Sequence, residues 1–574
     1  MLWQKVKKEI IGLIQKDFPT AKITEVDFVF PPNPSLGDLS LPCFNLAKQL
    51  GKSPAETAAE IGRKIKPSNF LGQIQFIGPY LNFFLSKEKV IEMVLKQILK
   101  EKKKYGDSEV LKKEKIMIEY VSPNANKPLH LGHLRNGLVG EAVAKLLEAV
   151  GAKVVRTSLI NDRGAHICKS MVAYQHWGKN KTPATEKIKG DHFVGDFYVM
   201  YTKKAEENKK LEDEVRKMLE KWEVGDKKIL ALWKKMTDWA LKGFKETYKR
   251  VGIKFDKTYF ESKIYKEGKK IILDAVAHGK FVKDKTGAVI AKLGDGLPDK
   301  VLLRADGTAL YVTQDIYLAK LKFDQHKLTR SIYCVGSEQD LYLKQLFKIL
   351  EILGYAWAKN CHHLSHGMIY LPEGKMKSRV GTVVEADEFL NKLEDYASEE
   401  IRSRYDFISD KEALKRAAEI ALAALKYYIL QIDPKTDMHF DPKKSLSFVG
   451  RTGPYLQYTY ARICSILKKA KMLKEIKITS VSFDELQEKW EYDLILHLAK
   501  FPEAVENSAK LYNPAILADH LYNLSKIFSD FYRDVHVLKA REETKRARII
   551  LISCIKIVLE KGLDLLGIAA PEKM

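Results

Sequence analysis

A chain of 574 residues is too long for one hydrophobic core, so several structural units are expected. Hydrophobic residues make up 45% and charged residues 30%, which excludes a largely disordered chain. Lysine and arginine number 98 against 74 aspartate and glutamate, a formal charge of +24 that points to a polyanionic partner, nucleic acid first.

The first hundred residues open with an amphipathic pattern, Trp3, Val6, Ile10, Ile11 and Ile14 recurring at helical spacing. A turn-rich PPNPSLGD follows at 31–38, then a second helix is predicted around 47–65. Alternating residues at 73–84, broken by Gly78-Pro79, read as strands, so residues 1–104 form an α+β domain. Lysines at 100–104 and Lys112-Lys113 read as a solvated connection.

KIMIEYV at 115–121 is a short apolar run suited to a buried strand. The loop SPNANKP, a helix over about 131–150 and the strand AKVVRTSLI complete a βαβ unit, the start of a parallel sheet. Residues 172–260 turn lysine-rich and helical and read as an insertion splitting a catalytic unit that spans 105–395. Strand signals return at about 288–303, and further βα units are expected over 309–322 and 330–353. Residues 396–574 are helical in pattern.

Six cysteines are scattered without a CxxC pair, which predicts neither a disulfide framework nor a zinc site. Cys361-His362-His363 comes nearest to a metal cluster, but adjacent residues point apart. The start lacks the apolar core of a signal peptide, and the run 549–559 is interrupted by Lys556 and too short to span a bilayer. A cytoplasmic protein that does not enter a membrane is expected.

Two short motifs carry chemistry. His130-Leu131-Gly132-His133 lies between a predicted strand and helix. Its histidines share one face of a helix start, beside free N–H groups and the positive dipole end, an arrangement suited to a triphosphate. Gly132 offers close approach to a nucleotide. Far along the chain, Lys375-Met376-Lys377-Ser378, preceded by Gly374, makes a basic loop able to reach phosphates. The bland alternative for that loop is a surface turn.

Together these motifs resemble the paired HIGH and KMSK signatures of class I aminoacyl-tRNA synthetases. EYVSPNANKPLHLGHLR at 119–135 and LINDRGAHICKSM at 159–171 narrow the resemblance to the arginyl family, as do GPYLNF at 78–83, GPYLQYTYARI at 453–463 and the final LLGIAAPEKM. The match runs over nearly the whole chain. It implies a split Rossmann-type catalytic domain, an N-terminal tRNA-binding domain and an all-helical C-terminal anticodon-binding domain over 396–574, working as a monomer. It also implies ATP-dependent activation of L-arginine to the adenylate, transfer to tRNA(Arg), Mg2+ accompanying ATP, and a need for bound tRNA in the first step.

Carried over residue by residue, the resemblance implies that Glu119, Ser122, Asn124, His130, Tyr311, Asp315 and Gln339 hold arginine, with Asp315 as the guanidinium partner. It gives the phosphates to His130, Gly132, His133, Lys375, Met376, Lys377 and Ser378. The loop departs from the family order Lys-Met-Ser-Lys, so the second lysine is displaced or absent, and Lys127 is the preferred substitute over Lys377. For tRNA, Tyr455, Tyr458 and Arg462 form an aromatic and cationic stripe, with core packing of the tyrosines as the alternative, and Asn82 is expected to read a base in the tRNA elbow. Three rivals compete: a class I synthetase for another amino acid, a small nucleotidyltransferase, and a tRNA-binding paralogue without catalysis.

Overall fold

The computed structural model describes residues 2–68, 70–371, 384–404, 408–470 and 481–574. The helix Leu2–Asp17 buries Trp3, Val6, Ile10 and Ile14, while Ile11 sits at the edge of that stripe. The single helix expected around 47–65 is two, Phe44–Leu50 and Pro54–Lys64. Gly51, at φ 65°, ends the first in the left-handed conformation glycine tolerates, and Ser53 caps the second by accepting from the Glu56 N–H. Strands β1 (Leu39–Pro42), β2 (Leu71–Ile77) and β3 (Tyr80–Leu85) form an antiparallel sheet with β3 central. Leu81, Phe83 and Leu85 face its core, which puts Tyr80 and Asn82 together on the opposite face.

The central sheet begins with β4 (Lys115–Glu119), β5 (Lys153–Ile160) and β6 (Lys257–Phe260). A small antiparallel sheet follows, β7 (Val282–Lys283), β8 (Val289–Ala291) and β9 (Lys300–Leu303). Then β10 (Arg330–Gly336) and β11 (Cys361–His366) return to the central sheet, which is parallel in the order β11-β10-β4-β5-β6. Buried on both faces, β4 is apolar at three successive positions, Ile116, Met117 and Ile118. The chain winds outward in both directions from β4 and β10, which opens a crevice beyond their carboxyl ends. Glycines let the Leu131–Ala149 helix lie close on this sheet, since a Cβ at Gly140 would meet the Tyr120 ring at 2.5 Å.

Between β5 and β6 stand the helices Ala165–Trp177, Gly190–Glu207, Lys210–Glu223 and Lys227–Val251. The last strand of the span read as insertion, β6, belongs to the sheet and pairs with β5 from Thr157↔Lys257 to Ile160↔Phe260. The Cys361-His362-His363 triplet starts β11, and His363 is engaged with the Val335 carbonyl at 3.0 Å, within the sheet. Beyond the sheet the chain is helical, from Ala386–Arg404 to Glu542–Leu565, with a two-residue strand at Met438–His439. This bundle carries the N-terminal domain: Tyr492 donates to Asp38 at 3.2 Å, and Lys7 stands 3.5 Å from Glu503.

Candidate active site

The crevice owes its form to a strained turn after β4. Val121 has φ 54°, a left-handed conformation that costs a β-branched residue about 1–3 kcal/mol. It is held at both ends: its N–H donates to Asn136 Oδ1 at 2.6 Å, and its carbonyl accepts from Ser158 Oγ. Asn136 also donates to the Cys334 carbonyl of β10 at 2.7 Å, so one amide ties the two sides of the crevice together. The chain then crosses the mouth as residues 122–130.

His130 stands at the N-cap of the Leu131–Ala149 helix, and its backbone N–H donates to His133 Nδ1 at 3.1 Å. The two rings lie 3.7 Å apart between centroids. A Cβ on Gly132 would come within 3.0 Å of His130 Cε1, so the glycine clears room for the imidazole. Burial, aided by the charge of Lys127, pushes His130 down to about 4, and burial beside His130 holds His133 well below the ordinary imidazole value. Both are neutral at pH 7, donors and acceptors rather than fixed cations. Residues 384–386 pair with this edge: the Leu131 N–H donates to the Val384 carbonyl at 3.0 Å, and the Ala386 N–H to the Leu129 carbonyl at 2.8 Å. Arg135, one turn on, is buried and donates to the carbonyls of Met368, Pro434 and Thr436.

A cavity of about 590 Å³ fills the crevice. It gathers Glu119, Ser122, Asn124, His130, Gly132, His133, Tyr311, Asp315 and Gln339, which are far apart in sequence. Asp315 and Tyr311 lie on one helix, Tyr311–His326; Tyr311 opens it and is 73% exposed. Asp315 accepts from the Tyr342 hydroxyl. Burial raises its carboxyl, against the lowering effect of that hydroxyl, and the result is a value of about 6. Glu119 is engaged differently, its Oε2 lying 2.7 Å from Nζ of the fully buried Lys322, which also faces the Tyr333 ring at 4.5 Å.

Lys127 does not line the cavity; its Nζ lies over the Tyr198 ring at 4.6 Å. Lys375, Met376, Lys377 and Ser378 lie outside the described residues. Asn82 is only 4% exposed, beneath the turn at Gly37, whereas Tyr80 on the same face is open to solvent. In the helical tail, Tyr455 packs into the bundle, bonded to Ser529 at 3.0 Å, in line with the core alternative. Tyr458 is 40% exposed, and the Arg462 guanidinium lies between its ring at 4.5 Å and that of Tyr532 at 5.0 Å.

Sequence reading missed Glu261, Tyr342, Lys322 and Asn136. Glu261 follows β6 and lines the same cavity; burial lifts it to about 6, with Arg163 and Gln314 opposing and Asp162 and Asp315 adding to the rise. Its only local signal was a carboxylate directly after a short strand.

Three family descriptions match the chain: the arginyl tRNA synthetase N-terminal domain over residues 2–85, the class I (R) tRNA synthetase catalytic domain over 94–442, and the DALR anticodon-binding domain over 456–574. The arginine–tRNA ligase of Treponema denticola is 45% identical, with 100% of this chain and 99% of that protein covered. That of Treponema pallidum is 43% identical over 95% of this chain and 94% of its own. Among solved structures, Thermus thermophilus arginyl-tRNA synthetase superposes with a TM-score of 0.84 at 26% identity, each chain covered in full. The Plasmodium falciparum enzyme shares the fold, with a TM-score of 0.80 at 20% identity, covering 100% of this chain and 99% of its own.

Proposed function

Because this chain belongs to the arginyl-tRNA synthetase family, we infer that it activates L-arginine with ATP and charges tRNA(Arg), and that the crevice between β4 and β10 is where it does so. The observation that carries this reading is the pair Asp315 and Glu261, two cavity carboxyls held near 6 by burial. Asp315 is bonded to a neutral hydroxyl and Glu261 has Arg163 only at 3.8 Å, so a substrate guanidinium supplies the planar, charged donors that each lacks at close range.

We assign the remaining roles as follows. Glu119 and Asn124 orient the α-amino group, Ser122 and His130 lie toward the carboxylate, and Tyr311 and Gln339 close the rim, all lining one cavity. The arginine carboxylate oxygen attacks the α-phosphorus of ATP, and the bond to pyrophosphate breaks. The terminal ribose hydroxyl of tRNA then attacks the adenylate carbonyl, and AMP leaves. No covalent enzyme intermediate is needed, so the protein contributes positioning and charge neutralisation. His130, Gly132 and His133 meet the phosphates at the helix start. Mg2+ accompanying ATP would offset phosphate charge and would be held mainly by ATP rather than by a protein cage. We assign Lys375, Met376, Lys377 and Ser378 to pyrophosphate, and Lys127, which lies outside the cavity over Tyr198 but whose charge acts on His130, to offset the altered loop order from a distance.

Residues 1–104 and 396–574 serve tRNA, through the exposed Tyr80 in the first, with the buried Asn82 beneath rather than at the contact, and Tyr458 with Arg462 in the second, Tyr455 supporting them from within the bundle. All the residues assigned above to arginine and ATP belong to one chain, and we take a monomer as the working unit. The described cysteines are all free and no described helix is long and apolar enough to cross a membrane, in keeping with a cytoplasmic location.

Pyrophosphate exchange with each of the twenty amino acids, with and without total tRNA, tests the reading. Exchange with arginine alone, dependent on tRNA, is expected. Exchange with another amino acid would overturn the pocket assignment, and its complete absence would favour a paralogue without catalysis.

A further inference from the structure

The insertion between β5 and β6 has no part in the reaction as described, yet one of its helices touches both strands of the His130 edge. On one side, Gly195 of the Gly190–Glu207 helix faces Pro128: a Cβ there would lie 2.8 Å from Pro128 Cδ, two residues before His130. On the other side, His192 of the same helix lies between two acids, its Nδ1 3.1 Å from Glu385 Oε2 and its Nε2 2.9 Å from Asp387 Oδ2. Glu385 forms an antiparallel bridge with His130 itself. One helix turn therefore grips the backbone pairing that presents the imidazole.

The cluster Asp191, His192 and Asp387 has the residue types of a metal site. A cation already stands within it, since Lys189 Nζ lies 2.6 Å from Asp387 Oδ2, 3.1 Å from Asp191 Oδ2 and 2.6 Å from Thr247 Oγ1. Arg250 stands 3.9 Å from Asp387 on the outer side. The cluster is an ion-pair network joining the insertion to the His130 edge. Burial lowers His192, but its bonds to Asp387 and Glu385 outweigh that and hold it up at about 10, so the bridging imidazole is charged at neutral pH.

We propose that the Gly190–Glu207 helix braces the His130 edge, with His192 and Gly195 as positioning residues for the phosphate-binding histidine. This rests on His130 acting at the phosphates. The brace does not touch Asp315 or the Tyr342 that bonds it, so its loss spares the guanidinium contact and acts through His130, more on turnover than on arginine binding.

The test is tRNA-saturated pyrophosphate exchange on the full chain for His192→Ala, Gly195→Ala, Glu385→Gln and His130→Ala, with thermal unfolding measured on each. We expect His192→Ala and Gly195→Ala to lower kcat by about tenfold or more, with KM for arginine raised by no more than about threefold and Tm within about 2 °C. Glu385→Gln keeps an acceptor for His192 and should retain most activity. Unchanged kcat in His192→Ala and Gly195→Ala, or losses matched by Tm and arginine affinity, would overturn the brace. If His192→Ala fails to fold, Gly195→Ala decides alone. His130→Ala separates the two ideas: its full activity would sink the phosphate role, whereas its inactivity beside a fully active His192→Ala would sink the brace only.

Discussion

Lys322 Nζ lies 2.7 Å from Glu119 Oε2, and this buried pair divides the labour of the acids in the cavity. Of the four carboxylates lining it, Glu338 is exposed to solvent; of the other three, Glu119 is already neutralised, while Asp315 has a tyrosine hydroxyl and Glu261 an arginine at a loose 3.8 Å. On the proposed reading, the two under-compensated acids are the ones that take the guanidinium, and Glu119 is left for finer orientation. A cavity with all three acids unpaired would hold excess negative charge at a high desolvation cost.

Removing that lysine should be costly. Lys322→Met leaves Glu119 as an uncompensated buried charge, a loss typically of about 3–5 kcal/mol. Denaturant unfolding should register it, and the double variant with Glu119→Gln should recover most of the stability. An unchanged unfolding midpoint in Lys322→Met would mean the pair is solvated in solution.

Arginine binding should depend on pH with a definite sign. Asp315 and Glu261 titrate near 6 in the empty site, above the ordinary 3.8 and 4.5, and the guanidinium needs them ionised. Affinity is thus complete above about pH 7 and falls as pH drops through 6, by about tenfold per unit for each group that must lose its proton. For folding, a carboxyl whose native value is raised takes up protons on folding, so the empty enzyme loses stability as pH rises from about 4 through 6. The thermal shift given by arginine should accordingly be larger at about pH 7.5 than at about pH 5.

His133→Ala should separate chemistry from amino-acid binding. Losing a donor preorganised at the phosphates is expected to lower kcat for exchange by about 10²–10³-fold, with KM for arginine changed only a few-fold. A rise in arginine KM with unchanged kcat would place His133 against the amino acid instead.

Tyr458 presents an open ring backed by the Arg462 guanidinium 4.5 Å away. Stacking of a base on such a ring contributes about 1–3 kcal/mol, so Tyr458→Ala should raise KM for tRNA(Arg) by roughly 5- to 150-fold at unchanged KM for arginine. Tyr455→Phe, which removes the hydroxyl's bonds to Ser529 and to the Ser525 carbonyl inside the bundle, should leave tRNA binding nearly unaffected. Equal effects would point to a shared packing role.

Much of this site was legible because its chemistry is local. His130, Gly132 and His133 sit within four residues after an apolar strand, and Tyr311 and Asp315 are one helical turn apart. Glu261 was not legible, since only the pairing of β6 with β5, in register at Ile160↔Phe260, carries it to a cavity whose first acid lies at 119. Lys322 read as one more lysine on a helix, and nothing in its spacing signals complete burial. The strand β11 escaped notice because its sequence, CHHLSH, is polar, with Leu364 and His366 its buried positions. The boundary of the insertion was misplaced for a related reason: β6 is four residues long and follows a lysine-rich helix, so its strand pattern was drowned.

The most direct test of the account compares arginine with citrulline, its uncharged isostere, as kcat/KM and inhibition constant in wild-type enzyme and Asp315→Asn. The account predicts strong preference for arginine in the wild type. In Asp315→Asn it predicts a fall of about 100-fold or more in kcat/KM for arginine, with the preference over citrulline largely erased. Near-normal use of arginine by that variant, with discrimination intact, would contradict the assignment of Asp315 as the guanidinium partner.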